Sequence, residues 1–123
     1  MRAMIVDDSR AMRAVLSRQL TAIGFEVTQA EDGEQALGLL DDGIVPDVAL
    51  VDWNMPVMTG LEFVKACRAD PRFRPITLMM VTTESEHAQI VRALAAGAHE
   101  YLIKPFTPDA LREKLALLGI GDD

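Results

Sequence analysis

The sequence predicts an α/β domain built on a five-stranded, parallel, doubly wound sheet, and three observations lead to that prediction. Short apolar runs alternate five times with stretches in which apolar residues recur at helical spacing, which is typical of parallel strands joined by helical crossovers. The runs VALV and ITLMMV are apolar throughout, as strands covered on both faces are. The length of 123 residues suits a single domain.

Each of the five predicted strands is followed by a predicted helix. The strands span residues 3–6, 25–30, 48–51, 76–81 and 101–103. After the first strand, apolar residues recur at helical spacing from Met12 to Ile23, and Gly24 ends that helix. Asp32 and Gly33 begin the second helix.

The other three helices carry start or stop signals of their own. Thr59 and Glu62 have the spacing of a capping box at the start of the third helix. The apolar pattern of the fourth helix begins at His87 and ends at Gly97. A threonine–proline pair at residues 107–108 places a cap and a proline at the start of the fifth.

Charge and cysteine content exclude several classes of protein. The formal net charge of −7 argues against a nucleic-acid-binding protein, which must neutralise phosphates, and it is compatible with a bound cation. The single cysteine, Cys67, excludes a disulfide framework, so we expect a reducing, cytoplasmic location. Asp7 and Asp8 interrupt the first apolar run too early for a signal peptide or a membrane span, so we expect no membrane insertion.

Polar side chains gather where the predicted strands end. Asp7 and Asp8 end the first strand, Asp52 the third, Thr82 the fourth and Lys104 the fifth. Ligands of this fold class bind outside the carboxyl ends of the strands. Three carboxylates, a hydroxyl and an ammonium group should therefore converge on one edge of the sheet.

The three carboxylates need compensation. Two of them roughly 5 Å apart would repel by about 3 kcal/mol at an effective dielectric near 20, so the group should hold a proton or a cation. Oxygen ligands without histidine or cysteine suit Mg²⁺, for which Mn²⁺ can substitute. We expect Asp8 and Asp52 as direct ligands, Asp7 as a ligand through water, and the backbone carbonyl of Asn54 to complete the set.

The same residues suit phosphoryl transfer, in which most of the work is positioning and charge stabilisation. One carboxylate can attack phosphorus and become an acyl phosphate. The ammonium group of Lys104 can pair with one phosphoryl oxygen, and the hydroxyl of Thr82 can donate to another.

Four segments make a family resemblance specific. VDDSR, LVDWNMPVMTGLE, MMVTTE and YLIKPF resemble the signatures of response-regulator receiver domains, in the right order and at the right spacing. The resemblance spans the whole chain and is strongest to stand-alone, chemotaxis-type (CheY-like) regulators. It implies a flavodoxin-like receiver fold with five helices and the strand order 2-1-3-4-5, with residues 1–123 as one receiver domain and no output domain.

The resemblance also implies roles for the residues of the acidic edge. Asp52 would be the phosphoacceptor, and Asp7 and Asp8 the acidic pair that binds Mg²⁺. Thr82 would be the switch hydroxyl, and Lys104 the lysine that contacts the phosphoryl group. Such a protein is a signalling phosphoacceptor that catalyses only its own phosphorylation and dephosphorylation, and is not otherwise an enzyme.

Further roles follow from the resemblance alone. Tyr101 would be an aromatic switch, although the residues by themselves favour a half-buried strand aromatic. Asn54 and Glu84, each two residues beyond a key group, would tune the lifetime of the acyl phosphate. The peptide bond between Lys104 and Pro105 would be cis, although trans is the default before proline.

The partners that the resemblance implies are proteins. We expect a histidine kinase as phosphodonor, a phosphatase, and a downstream target that binds the surface of the fourth helix, fifth strand and fifth helix around Tyr101. The expected role is chemotaxis or motility control by a monomer. A receiver excised from a longer regulator, or one that acts as a phosphate sink in a relay, would show the same sequence.

Some residues keep two interpretations. Trp53 can be a lid or simple packing beside the metal, and Phe106 a core residue or part of the partner surface. Arg10, Arg13 and Arg18 follow the aspartates on the first helix, either as a solvated face or as a docking site.

Two other classes of protein share parts of the pattern and fail at named residues. A haloacid-dehalogenase-like phosphatase needs a second acidic residue two positions after its nucleophile, where this chain has Asn54. A flavodoxin-like cofactor protein needs a hydroxyl- and glycine-rich phosphate loop after the first strand, where Asp7 and Asp8 would repel the phosphate.

Overall fold

A computed structural model describes residues 1–120, without the side chains of Glu84, Ser85 and His87. Strands and helices alternate along this range. The strands are β1 (Arg2–Val6), β2 (Glu26–Ala30), β3 (Val48–Asp52), β4 (Thr77–Thr83) and β5 (Glu100–Lys104). The helices are α1 (Arg10–Ala22), α2 (Gly33–Asp41), α3 (Gly60–Ala69), α4 (Ile90–Ala96) and α5 (Pro108–Leu117), and a 3₁₀ segment, Glu84–Gln89, precedes α4.

The five strands form one parallel sheet in the order β2-β1-β3-β4-β5. This confirms the predicted α/β architecture and the strand order implied by the resemblance. Val6 of β1 lies beside Val51 of β3, Asp52 lies beside Val81 of β4, and Thr83 lies beside Lys104 of β5. The carboxyl ends of four strands therefore meet at one level of the sheet.

Apolar layers cover both faces of the sheet, because successive side chains of a strand point to opposite faces. On one face, Met4 and Val6 of β1 pack with residues of α2, α3 and α4. On the other, Ala3 and Ile5 pack with residues of α1 and α5. Cys67 is a buried free thiol of the first layer, where burial raises its pKa to about 12, as expected of a core residue.

Side-chain caps fix where the helices begin. Thr59 and Glu62 form the predicted capping box at the start of α3, with bonds of 2.9 and 3.2 Å between side chain and backbone. The side chains of Ser9, Asp32 and Thr107 accept backbone N–H bonds at the starts of α1, α2 and α5. Capping oxygens satisfy donors that have no partner within the helix, which stabilises each helix start.

The fourth helix departs from the prediction at its start. The apolar pattern placed that start at His87, but residues Glu84–Gln89 form a 3₁₀ segment and α4 begins only at Ile90. Two local features account for the difference: the carboxylate of Glu86 accepts a bond from the N–H of Thr83, and Gln89 supplies no side-chain cap. The helix ends as predicted at Gly97, whose φ of 123° favours glycine.

The remaining differences are small. β2 begins at Glu26, because the N–H of Phe25 donates to Leu20 at the end of the preceding turn. β3 and β5 each run one residue further than predicted, so that Asp52 and Lys104 are strand residues. None of the helices within residues 1–120 combines the length and apolar character that crossing a membrane requires.

Candidate functional site

Three carboxylates meet at the carboxyl edge of the sheet, as predicted from the strand ends. Asp7 follows β1, and its N–H donates to Ala30 of β2 at 3.1 Å, which holds it at the edge. Asp52 is the last residue of β3. Asp7 and Asp52 are buried, with exposed fractions of 1% and 7%, whereas Asp8 is exposed.

The carboxylates are close enough to share a cation. One oxygen from each of Asp7, Asp8 and Asp52 lies within 4.8 Å of the others. A donor set made only of carboxylate oxygens, open to solvent on the side of Asp8, fits a hard divalent ion. Asn54 lies exposed in the loop after β3, and the metal role of its backbone carbonyl stays a prediction.

Lys104 offsets part of the negative charge. Its ammonium nitrogen, Nζ, lies 3.3 Å from Oδ1 of Asp52 and 3.4 Å from Oδ2 of Asp7. Its side chain is only 17% exposed, so solvent screens these contacts weakly. The second oxygen of Asp7, Oδ1, accepts the backbone N–H of Ser9 at 2.8 Å. One ammonium group therefore serves two buried carboxylates.

Because Lys104 is shared with Asp7, it offsets only part of the cost of a negative charge on Asp52. The pKa of Asp52 is raised from 3.8 to about 6, mainly by burial and also by the negative charge of Asp7, against the opposing attraction of Lys104. A bound cation would favour the ionised form that nucleophilic attack requires. The electrostatics of the edge thus favour a cation beside Asp52.

The backbone around Asp52 is closely packed. A side chain at Gly60 would place its first carbon 2.5 Å from the carbonyl oxygen of Asp52, so only glycine lets α3 begin this close to β3. In the intervening loop, Val57 has φ of 70°, a rare conformation for a β-branched residue, and is 73% exposed. The peptide bond between Lys104 and Pro105 is cis, the conformation implied by the resemblance.

Thr82 lies at the same edge in a contact that the sequence did not suggest. It is 2% exposed, and it follows Val81, the residue of β4 that pairs with Asp52. Its hydroxyl oxygen lies 3.3 Å from a carboxylate oxygen of Glu86. Sequence reasoning missed Glu86, because its position just before the predicted fourth helix gave no sign that it would turn back onto β4.

Tyr101 lies half-buried on β5, with charged neighbours that the sequence analysis did not single out. The ammonium group of Lys114 lies 4.2 Å from the centre of the Tyr101 ring and 3.0 Å from a carboxylate oxygen of Glu100. A cation over the face of an aromatic ring is attracted to it. The ring also packs against the apolar layer that contains Ala93 of α4.

The structure gives positions for the residues that the sequence left with two interpretations. Trp53 and Phe106 are both partly buried against apolar layers, which supports packing roles. Arg13 is structural, because its guanidinium donates to the backbone oxygen of Asp7 at 2.7 Å. Arg10 is exposed, and Arg18 lines a pocket between α1 and α5.

Comparison with known proteins is consistent with the geometry. Residues 3–116 match the family model described as the response regulator receiver domain. The chain is 45% identical to Chemotaxis protein CheY1 of Helicobacter pylori over 99% of its length and 100% of that protein. It is 42% identical to Chemotaxis protein CheY of Pseudomonas aeruginosa, covering 94% of this chain and 93% of that protein.

Solved structures of similar proteins share the fold. Chemotaxis response regulator CheY4 of Vibrio cholerae superposes with a TM-score of 0.86 at 38% identity, covering 95% of this chain and 97% of that one. A sensor histidine kinase receiver domain from Pseudomonas aeruginosa superposes with a TM-score of 0.81 at 27% identity, covering 91% of each chain. That receiver holds a magnesium ion coordinated in its active site cleft.

Proposed function

The chain belongs to the response regulator receiver family and is a CheY-like signalling phosphoacceptor, and from that premise we propose that Asp52 carries the phosphoryl group. One observation supports this choice: Asp52 is a buried carboxylate at the end of the central strand that is both part of the acidic cluster and in contact with Lys104. Asp7 uses both of its oxygens, on Ser9 and Lys104, and Asp8 is exposed.

In the proposed reaction, a carboxylate oxygen of Asp52 attacks the phosphorus of a phosphohistidine on a partner kinase. The new P–O bond forms as the P–N bond breaks, and the leaving imidazole nitrogen takes the electron pair. Lys104, already 3.3 Å from Asp52, pairs with an oxygen of the transferred group. Burial of Asp52 strengthens that pairing.

The cofactor that fits the acidic cluster is Mg²⁺, with Mn²⁺ as a substitute. Asp7, Asp8 and Asp52 would hold it, and the backbone carbonyl of Asn54 is the proposed fourth protein ligand. When bound, the ion supplies positive charge that neutralises phosphoryl oxygens. Loss of the phosphoryl group by hydrolysis is the step that we assign to tuning by Asn54 and Glu84.

The proposed output is a change in the face formed by α4, β5 and α5. Thr82 would turn its hydroxyl toward the phosphoryl group, and Tyr101 would move into the space behind it. Two apolar residues of α4 suit this face to protein binding, since Val91 is 72% and Leu94 39% exposed. The target would bind the phosphorylated arrangement more tightly and so shift the equilibrium toward it.

The proposed partners are a histidine kinase, a phosphatase and a downstream target protein in chemotaxis or motility control. The support is the family membership and the similarity to relatives named as chemotaxis proteins. We propose a monomer that acts in the cytoplasm.

Intact mass tests the proposed phosphoacceptor. Incubation with acetyl phosphate and Mg²⁺ should add the mass of one phosphoryl group to the wild-type protein and none to Asp52→Asn. Asp42→Asn, which changes an exposed carboxylate at the end of α2, is the matched control and should gain mass like the wild type. Chelation of the metal should abolish the gain. An equal gain in Asp52→Asn would overturn the proposal.

A further inference from the structure

We propose that Glu86 is a positioning residue that holds the Thr82 hydroxyl in the unphosphorylated protein and must release it when a phosphoryl group forms at Asp52. The inference deepens the proposed function and depends on it. Glu86 and the phosphoryl group would compete as acceptors for the single hydrogen bond that the Thr82 hydroxyl can donate.

One carboxylate oxygen of Glu86 accepts hydrogen bonds from the end of β4. Oε1 of Glu86 lies 2.8 Å from the hydroxyl oxygen of Thr83, 3.3 Å from that of Thr82, and 3.4 Å from the backbone nitrogen of Thr83. Three donors on two adjacent residues therefore face a single acceptor. The hydroxyl oxygen of Thr82 also lies 3.4 Å from the backbone oxygen of Thr83. Hydrogen bonds to an ionised acceptor are stronger than bonds between neutral groups, so the contact with Glu86 is the one that restrains the hydroxyl of Thr82.

The competition follows from the chemistry of a hydroxyl group. Thr82 has one O–H donor, and it cannot donate to Glu86 and to a phosphoryl oxygen at once. Thr82 is 2% exposed, so water is poorly placed to replace either acceptor. A bond from Thr82 to the phosphoryl group therefore requires its bond to Glu86 to break.

Charge favours the same exchange. The phosphoryl group brings nearly two negative charges to the carboxyl edge. It attracts the hydroxyl of Thr82 and repels the carboxylate of Glu86, since like charges repel. In the unphosphorylated protein the same repulsion acts against an anionic phosphodonor that approaches Asp52.

The position of Glu86 in the chain connects the exchange to the output face. Glu86 belongs to the 3₁₀ segment Glu84–Gln89, which leads directly into α4. Its contacts with Thr82 and Thr83 tie that segment to the end of β4. Loss of the Thr82 contact weakens this tie to the Thr83 contacts alone, so the segment before α4 gains freedom when the site is phosphorylated.

The test compares phosphorylation rates with acetyl phosphate at fixed Mg²⁺, followed by intact mass. Glu86→Ala removes charge and acceptor, and Glu86→Gln removes the charge but keeps an acceptor oxygen. The rate should rise roughly three- to tenfold in Glu86→Ala, the scale of one net hydrogen bond, and less in Glu86→Gln. The control is Glu34→Gln, which removes the charge of an exposed carboxylate in the first turn of α2 and should leave the rate unchanged.

A second readout separates positioning from a general electrostatic effect. In a Thr82→Val background, the hydroxyl is absent, so the part of the Glu86→Ala rate gain that comes from competition should disappear. Amide NMR shifts of α4 in unphosphorylated Glu86→Ala should move toward those of the phosphorylated wild type. A full rate gain in the Thr82→Val background would overturn the competition.

The outcomes distinguish this inference from the proposed function. If the wild-type protein is phosphorylated on Asp52 and Glu86→Ala reacts at the same rate, with unchanged α4 shifts, Glu86 has no positioning role. If the wild-type protein gains no phosphoryl group on Asp52, the proposed function fails and this inference fails with it.

Discussion

At the scale of single residues, the chemistry of the site comes from an imbalance between burial and charge. Asp7 and Asp52 are both buried, and they share the single ammonium group of Lys104 at 3.4 and 3.3 Å. Asp8 adds a third carboxylate to the cluster. The group therefore retains net negative charge, which costs stability unless a cation offsets it.

The pKa of Asp52 gives this imbalance a measurable pH dependence. Without metal, the folded protein holds the proton of Asp52 up to about pH 6, whereas an unfolded chain releases it near 3.8. Because the pKa is higher in the folded protein, proton binding by Asp52 adds to the free energy of unfolding, and this contribution is complete below about pH 3.8, the pKa in the unfolded chain. It is lost as the pH rises through about 6, by about 3 kcal/mol for a shift of this size.

We therefore expect Mg²⁺ to raise the thermal midpoint more at pH 7 than at pH 5, where most of the Asp52 population is protonated. Thermal unfolding in chelator and in excess Mg²⁺ at both pH values measures this. In chelator, Asp52→Asn should lose less stability between pH 5 and pH 7 than the wild type. A Mg²⁺ effect of equal size at both pH values would contradict the assignment of Asp52 to the metal site.

At the scale of elements, Arg68 joins parts of the fold that are distant in sequence. Its guanidinium donates to the backbone oxygens of Gly97 at 2.9 Å, Arg74 at 2.9 Å and Ile76 at 3.0 Å. It also lies 3.2 Å from Nδ1 of His99. The end of α3 is thereby tied to the end of α4 and to the starts of β4 and β5.

This arrangement predicts that Arg68→Lys lowers the free energy of unfolding by about 2 kcal/mol, because an ammonium group cannot reproduce the planar set of donors. Urea denaturation measures the change. Arg92→Lys, an exposed arginine of α4 that contacts Gln89, is the matched control and should change stability little. Equal effects of the two substitutions would show that the carbonyl contacts of Arg68 are not important.

The elements also show which contacts can be predicted from sequence and which cannot. The capping box of Thr59 and Glu62 was predictable because it depends on residues three apart. The start of α4 was not, because Glu86 turns back onto the end of β4. The contact between Arg68 and Gly97 joins positions 29 residues apart, and no local sequence pattern predicts it.

At the scale of the whole molecule, the strand order explains why the site could be predicted. Asp7 and Lys104 are 97 residues apart, yet their contact follows from a rule about where parallel strands end. The roles of Thr82 and Tyr101 as switch residues depend on a second conformation, which no strand-end rule describes. Those roles, and the lifetime-tuning roles of Asn54 and Glu84, stay predictions, and the side chain of Glu84 lies outside the part of the chain that the structure describes.

The sheet also connects the site to the proposed output face. β4 carries Thr82, and the neighbouring strand β5 carries both Tyr101 and Lys104. A change at the phosphoryl site thus has a short path through two paired strands to the surface of α4, β5 and α5.

An amide NMR comparison with and without acetyl phosphate, in the presence of Mg²⁺ and with Asp52→Asn as the control, tests most directly whether phosphorylation switches the distant face. We expect shift changes around Asp52 and a second group of changes in α4, β5 and α5, both absent in the control. Changes confined to the neighbourhood of Asp52, or present equally in Asp52→Asn, would contradict the claim that phosphorylation of Asp52 switches the distant face.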